Sequence, residues 1–144
     1  MIQRIIQFWR HPGALIGGTM PSNPHAFGQQ AETMAARFLK KQGYKIIARN
    51  HRTRSGEIDI IAREGETLVF VEVKARTSER FGSAKAAVTL QKQRQIAKVA
   101  LGYLKMTDQS YAKARFDVVT VTRRAQDHDI HLIRNAFGLN DDRA

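Results

Sequence analysis

The sequence predicts an α/β domain in which a mixed β-sheet is flanked by α-helices. Two stretches have apolar residues at helical spacing, and short runs rich in Val, Ile and Phe lie between and after them. Glycine-containing and polar segments separate these runs, as turns do. The predicted order is one helix, three strands, a second helix and two further strands.

Residues 1–23 are predicted to be a poorly ordered leader outside the domain, because prolines and glycines discourage regular structure there. Charged residues interrupt its apolar stretch. It therefore lacks the roughly 20 apolar residues of a membrane span and the continuous centre of a signal peptide. We expect a domain over residues 24–137, a tail over 138–144, no membrane contact and a cytoplasmic location.

The first helix is predicted to begin at Pro24, with Asn23 as its N-cap. Its apolar stripe includes Ala31 and Phe38, and Gly43 marks its end. Glu32 lies at the margin of this stripe. The helix is therefore expected to pack on the sheet with Glu32 near the contact.

Three strands are predicted next, over residues 45–50, 56–62 and 67–74. The sequence Glu64-Gly65-Glu66 between the last two is typical of a tight hairpin turn. The polar residues 75–83 are expected to form a loop.

The second helix is predicted over about residues 85–105, with Val88 and Ile96 on its buried side. Two strands near residues 115–122 and 130–133 complete the domain, with a turn between them.

The charge of the chain points to a polyanionic partner. Lys and Arg number 24 against 13 Asp and Glu, for a formal net charge of +11. Nucleic acid is the first hypothesis for a domain this basic; the alternatives are a solubility surface or a ribosome-adjacent protein. The chain has no cysteine, which excludes disulfides and thiolate metal sites.

Strand geometry brings three charged residues together. Side chains alternate between the faces of a strand, so Glu72 and Lys74 share one face at the end of a mostly apolar strand. Asp59 lies in the preceding strand, almost symmetric with Glu72 about the hairpin turn. The hairpin is therefore expected to bring Asp59 beside Glu72.

Two neighbouring carboxylates repel unless a positive charge lies between them. Mg²⁺ or Mn²⁺ would supply it, because these ions prefer oxygen ligands. Such an ion activates water toward a phosphodiester, and Lys74 could position that water. Glu32 and the carbonyl of Val73 are further candidate ligands. The alternative is an exposed salt bridge of Glu72 and Lys74 on an edge strand.

Basic residues provide candidate contacts to the nucleic-acid backbone, which give affinity without reading sequence. Two windows without acidic residues, 33–56 and 83–107, hold most of them. The alternative is a solvated surface, with Arg52 paired to Glu57. The candidate nucleic-acid-binding residues are Arg52, Arg54, Arg76, Lys92, Arg94 and Lys98.

Several short motifs follow one another in order over about residues 24–137. They are Gly28-x-x-Ala31-Glu32, Asn50-x-Arg52, Gly56-Glu57-Ile58-Asp59, Val69-Phe70-Val71-Glu72-Val73-Lys74-x-Arg76 and Arg115-Phe116-Asp117-Val118-Val119. Together they resemble the bacterial YraN family, and Asp59, Glu72 and Lys74 resemble the PD-(D/E)XK superfamily, which implies a restriction-endonuclease-like fold. The departures are Leu90 in place of an expected proline and His51 in place of an expected aromatic residue.

The resemblance implies an endonuclease related to archaeal Holliday junction resolvases. It implies that Asp59 and Glu72 bind the metal, that Lys74 assists the water, and that Glu32 is the helix glutamate of the site. DNA, branched or single-stranded, is the expected substrate. A homodimer would suit paired cuts on a junction, and a helicase is a candidate partner.

Two other functions stay open. One is a nucleic-acid-binding module that keeps the nuclease fold without catalysis. The other is a structural or adaptor protein that is basic because of its partner.

Overall fold

Two α-helices and six β-strands form the structure, a computed structural model that describes residues 6–12, 23–77 and 88–138. Of residues 6–12 the structure describes the backbone. In chain order the elements are β1 (Ile6–Pro12), α1 (Pro24–Lys41), β2 (Lys45–Thr53), β3 (Gly56–Glu64), β4 (Thr67–Arg76), α2 (Leu90–Met106), β5 (Ala114–Arg123) and β6 (Asp127–Phe137).

All six strands belong to one sheet, in the order β1-β6-β5-β4-β3-β2. β4 and β5 run parallel, and every other neighbouring pair is antiparallel. α2 connects the parallel pair, since parallel neighbours need a long crossover. The predicted mixed sheet with flanking helices is confirmed, and it is consistent with a restriction-endonuclease-like fold.

The core has two parts, one on each face of the sheet. Val69 and Val71 of β4 pack in a buried cluster with α1, whereas Leu68 and Phe70 pack in a second cluster with α2. The alternation predicted for this strand is therefore confirmed. Neither helix of the described chain is long and apolar enough to cross a bilayer.

The predicted ends of α1 are confirmed. Asn23 Oδ1 accepts a hydrogen bond from the His25 N–H at 2.9 Å, and Pro24 begins the helix. Gly43 follows the C-cap with φ +93°, a left-handed conformation that favours glycine. The helix therefore begins and ends at the residues that local capping chemistry predicts.

α2 begins at Leu90, so the predicted start near residue 85 is wrong for Val88 and Thr89. Thr89 Oγ1 accepts a hydrogen bond from the Lys92 N–H at 3.2 Å, which caps the helix. Val88 is buried as predicted, but it precedes the helix. Residues 85–87 lie outside the described residues.

Part of the predicted leader belongs to the sheet. Ile6–Pro12 forms β1 and pairs antiparallel with β6, so the prediction of irregular structure is wrong for these residues. Pairing gives β6 a neighbour on what would otherwise be an open edge. Pro12 lies at the end of an edge strand, where a missing N–H is tolerated. Residues 1–5, 13–22 and 139–144 lie outside the described residues.

The hairpin between β3 and β4 sets the register of the candidate site. Glu64 pairs with Thr67 across a tight turn in which Gly65 has φ +57°, as predicted. The paired register runs to Ile60 opposite Val71. One further step along both strands places Asp59 opposite Glu72.

Candidate active site

Glu72 lies in the interior of the sheet, since β4 has neighbours on both sides. Its side chain is only 5% exposed. The alternative of an exposed salt bridge on an edge strand is therefore wrong. Its Oε2 atom has no hydrogen-bond donor among the residues that the structure describes. A buried carboxylate oxygen without a donor is costly, which makes it a candidate ligand atom.

Asp59 lies beside Glu72 at the point where β3 and β4 stop pairing through their main chains. Its Oδ2 accepts a hydrogen bond from the Val73 N–H at 2.8 Å. The side chain thus replaces the main-chain partner that this amide would have in a continued ladder. This bond holds the Asp59 carboxyl against the end of β4.

The two carboxyl groups influence each other's protonation. Burial and then the negative charge of Asp59 raise the pKa of Glu72 to about 7. Burial also raises the pKa of Asp59, although the hydrogen bond that its carboxyl accepts from the Val73 N–H opposes this. The pair therefore holds a shared proton more readily than two exposed carboxyls would.

Two lysines balance the charge of the pair. Lys74 Nζ lies 3.4 Å from Glu72 Oε1, as predicted from their shared strand face. Lys92 of α2 also acts electrostatically on both Asp59 and Glu72. The sequence placed Lys92 only among general backbone contacts. Its proximity to the pair depends on how α2 packs, which no local pattern reveals.

Glu32 lies on α1 at the margin of this site. Burial raises its pKa, and the charges of Asp59 and Glu57 raise it further. With its amide nitrogen turned toward the carboxylates, Asn50 donates to Glu32 Oε2 at 3.0 Å and to Glu57 Oε1 at 3.2 Å. Asn50 has φ +53°, a conformation that asparagine tolerates. Sequence reasoning gave Asn50 no role of its own.

The donor set fits a hard divalent cation with few protein ligands. Within the described part of the chain, no three His, Cys, Asp or Glu side chains converge as a metal-binding group. Mg²⁺ commonly takes one or two carboxylates and keeps several waters. Asp59 and Glu72 supply two carboxylates, one with an oxygen that lacks a donor.

The family model described as "Uncharacterised protein family UPF0102" matches residues 31–121. The chain belongs to UPF0102. This is the YraN family indicated by the sequence motifs. The matched segment contains Glu32, Asp59, Glu72 and Lys74.

UPF0102 proteins of several bacteria are similar to the chain. One from Desulfosudis oleivorans is 56% identical over 79% of this chain and 91% of its own length. One from Geobacter metallireducens is 50% identical over 79% of this chain and 93% of its own length. A solved structure of Pyrococcus furiosus SfsA in complex with Ca²⁺ matches 76% of this chain and 61% of that chain, at 14% identity and a TM-score of 0.34.

The predicted nucleic-acid-binding residues of this UPF0102 chain occupy different surroundings. Arg52 has a side chain 74% exposed, and its Nε lies 3.3 Å from Glu57 Oε2. Lys92 is half-buried near the carboxylate pair. Arg76 is also half-buried, whereas Arg54, Arg94 and Lys98 are exposed, as Arg52 is. Contact with nucleic acid stays a prediction for all six.

Gly56 fixes the contact between β3 and α2 beside this site. It has φ +144°, and a Cβ there would lie 2.7 Å from Gln95 Cγ. We expect Gly56→Ala to lower the free energy of unfolding by about 1–3 kcal/mol, through backbone strain and the contact with Gln95. Urea denaturation measures the loss.

Gly28→Ala in α1 is the matched control, because nothing lies within 4 Å of a Cβ at Gly28. Alanine favours a helix, so this variant should be unchanged or more stable by up to about 1 kcal/mol. Gln95→Ala in the Gly56→Ala background should restore part of the loss. Equal stability of the two glycine variants would contradict the role of Gly56.

Proposed function

We propose that this UPF0102 protein is a metal-dependent endonuclease that hydrolyses phosphodiester bonds of DNA. The observation that carries the proposal is the pairing of the buried Glu72 with the half-buried Asp59, with Lys74 Nζ 3.4 Å from Glu72 Oε1. Placing two carboxyl groups side by side with one of them buried costs stability, and such arrangements cluster at functional sites.

Asp59 and Glu72 would hold Mg²⁺ or Mn²⁺. Glu32 and the carbonyl of Val73 are proposed as further contributors, directly or through water. The chemistry that the ion would supply when bound is a lower pKa of the attacking water and stabilisation of the negative charge on the phosphodiester. The Val73 N–H keeps Asp59 oriented. Lys74 is placed to hydrogen-bond the attacking water or a phosphate oxygen.

The charge of the chain supports a nucleic-acid substrate. The formal net charge of +11 favours association with a polyanion. Among the described residues, Lys92 and Lys74 are ammonium groups whose charges act on Glu72. Branched or single-stranded DNA is the proposed substrate class, with cleavage in recombination or repair as the context.

A cleavage panel tests the proposal. Purified protein is incubated with linear duplex, single-stranded, flap and four-way DNA, and with single-stranded RNA, in Mn²⁺, Mg²⁺ or EDTA. We expect nicking or cutting of at least one DNA in Mn²⁺ and none in EDTA. Salt-dependent binding without cleavage of any substrate would instead identify a non-catalytic nucleic-acid-binding module. Cleavage of RNA alone would overturn the substrate class.

The raised pKa of Glu72 predicts a pH dependence of metal binding. A pKa of about 7 means that Glu72 becomes protonated as the pH falls through neutrality. Metal ligands must be deprotonated, so affinity for Mn²⁺ should fall by up to about tenfold per pH unit below pH 7. Calorimetric titrations between about pH 5.5 and 8.5 measure this. An affinity that is flat over this range would contradict the prediction.

A further inference from the structure

We propose that Lys92 is a substrate-binding cation of this site, which contacts a backbone phosphate next to the scissile phosphodiester. The inference rests on the proposed function, because it assigns Lys92 to the same phosphodiester-cleaving site. The sequence grouped Lys92 with Arg94 and Lys98 as general contacts. The structure separates them, since Lys92 is half-buried and the other two are exposed.

The first supporting observation is the position of Lys92 relative to the carboxylate pair. Its charge acts on both Asp59 and Glu72. Lys74, whose Nζ lies 3.4 Å from Glu72 Oε1, acts on Glu72 in the same direction. Lys92 therefore holds positive charge where a phosphodiester must approach the pair.

The second observation is an open concavity of about 420 Å³ at the start of α2. Its lining residues are all polar, and one of them is a cation: Thr89, Gln91, Lys92 and Gln95. Amide and ammonium groups are donors that suit phosphate oxygens. Thr89 Oγ1 already accepts the Lys92 N–H, so recognition here belongs to the side chains of the lining residues.

The third observation is a contact between the lining of this concavity and β3, the strand that carries Asp59. Gln95, one turn beyond Lys92 on α2, lies so close to Gly56 of β3 that a Cβ there would be 2.7 Å from its Cγ. The contact joins the lining of the concavity to β3, three residues before Asp59. A phosphate in the concavity would thus lie beside the strand that carries Asp59.

Binding measurements in EDTA distinguish a phosphate contact made by Lys92 from the general electrostatic effect of a surface lysine. Fluorescence anisotropy follows a labelled DNA from the cleavage panel at several salt concentrations. One lost phosphate contact should reduce the slope of log affinity against log salt by about 0.9 for duplex or about 0.7 for single strands. We expect this for Lys92→Met. Lys113→Met is the matched control, because Lys113 is exposed and precedes β5 at the opposite end of the sheet.

A scan of single methylphosphonates then locates the contact. In each substrate one backbone phosphate near the cut is made neutral. At one position next to the scissile bond, the wild type should lose affinity and Lys92→Met should lose nothing further. Lys92→Arg should keep the contact, because it keeps the charge. Circular dichroism and the melting temperature verify that each variant is folded.

The outcomes distinguish the two proposals. If wild type cleaves DNA but Lys92→Met matches Lys113→Met in salt slope and in the scan, the role of Lys92 is overturned and the proposed function stands. If wild type binds but cleaves no DNA, the proposed function is overturned. The assignment of Lys92 to a phosphate next to the scissile phosphodiester is then overturned as well.

Discussion

Glu72→Gln should abolish DNA cleavage and, in the absence of metal, stabilise the protein at pH 8. Loss of a carboxylate ligand removes charge that holds the cation, so we expect cleavage to fall by about 10³-fold or more, equivalent to about 4 kcal/mol of barrier. Glutamine keeps the shape of the side chain but carries no charge. A loss of cleavage in Glu72→Gln would therefore result from the missing charge of Glu72 and not from altered packing.

The opposite effect on stability follows from the pKa of Glu72. Its value of about 7 lies above the ordinary value of 4.5. The protonated group is thus favoured in the folded state. The stability it contributes is fully present below about pH 4.5 and is lost as the pH rises through 7. At pH 8 the ionised, buried Glu72 costs stability, so Glu72→Gln should raise the free energy of unfolding by about 1–3 kcal/mol.

Urea denaturation in EDTA and cleavage assays in Mn²⁺ measure the two effects on the same preparations. Glu66→Gln is the matched control, because Glu66 is exposed in the turn at the other end of the hairpin. It should leave both quantities unchanged. A Glu72→Gln variant that cleaves like wild type would remove Glu72 from the active site. A variant that is inactive and unstable would mean that the carboxylate serves the fold.

Asp117→Ala should cause the largest loss of stability of any single change considered for this chain. Asp117 is fully buried on β5, where the register with β6 shifts. Its Oδ1 accepts hydrogen bonds from Arg115 Nε at 3.0 Å and from the Asn135 N–H at 2.9 Å. Its Oδ2 accepts from the Tyr44 hydroxyl at 2.8 Å. Removal would leave a guanidinium, a hydroxyl and an amide without this acceptor.

Each buried donor that loses its acceptor costs about 1–3 kcal/mol. The Tyr44 hydroxyl and the Asn135 N–H would lose theirs, and Arg115 would keep Glu64 as its carboxylate partner, so we expect a loss of about 3–5 kcal/mol for Asp117→Ala. Tyr44→Phe is the milder comparison. Burial and the charge of Asp117 raise the pKa of the Tyr44 hydroxyl, so it stays protonated and acts as a donor. Its loss should cost about 1 kcal/mol. Urea denaturation distinguishes the two, and an Asp117→Ala variant within 1 kcal/mol of wild type would show that Arg115 and Asn135 find other partners.

The central hairpin could be predicted from the sequence because its signals are local. Alternation along β4 puts Glu72 and Lys74 on one face, and the turn at Gly65 fixes the register. Together they place Asp59 opposite Glu72, before any tertiary contact is known. Capping at Asn23 is local in the same sense.

Features that depend on packing could not be predicted. Lys92 acts on Glu72 only because α2 lies over the sheet with Gln95 against Gly56. The hydrogen-bond partners of Asp117 depend on a register shift between β5 and β6, and no pattern in either strand marks it.

Two predictions are wrong for different physical reasons, one non-local and one local. Ile6–Pro12 forms an edge strand because β6 offers it an edge, although its own composition favours irregular structure. α2 begins at Leu90 because the Thr89 hydroxyl caps it, although the apolar spacing reaches back to Val88. Periodicity locates a helix but does not decide its first turn.

The binding of Mn²⁺ to the metal-free protein at pH 8 tests most directly whether Asp59 and Glu72 form a divalent-cation site. Isothermal titration calorimetry should detect saturable binding to wild type and to Glu66→Gln. It should detect loss of this binding in Asp59→Asn and in Glu72→Gln, with all four proteins folded. Binding that is equal in the four proteins, or absent from wild type, would contradict the account.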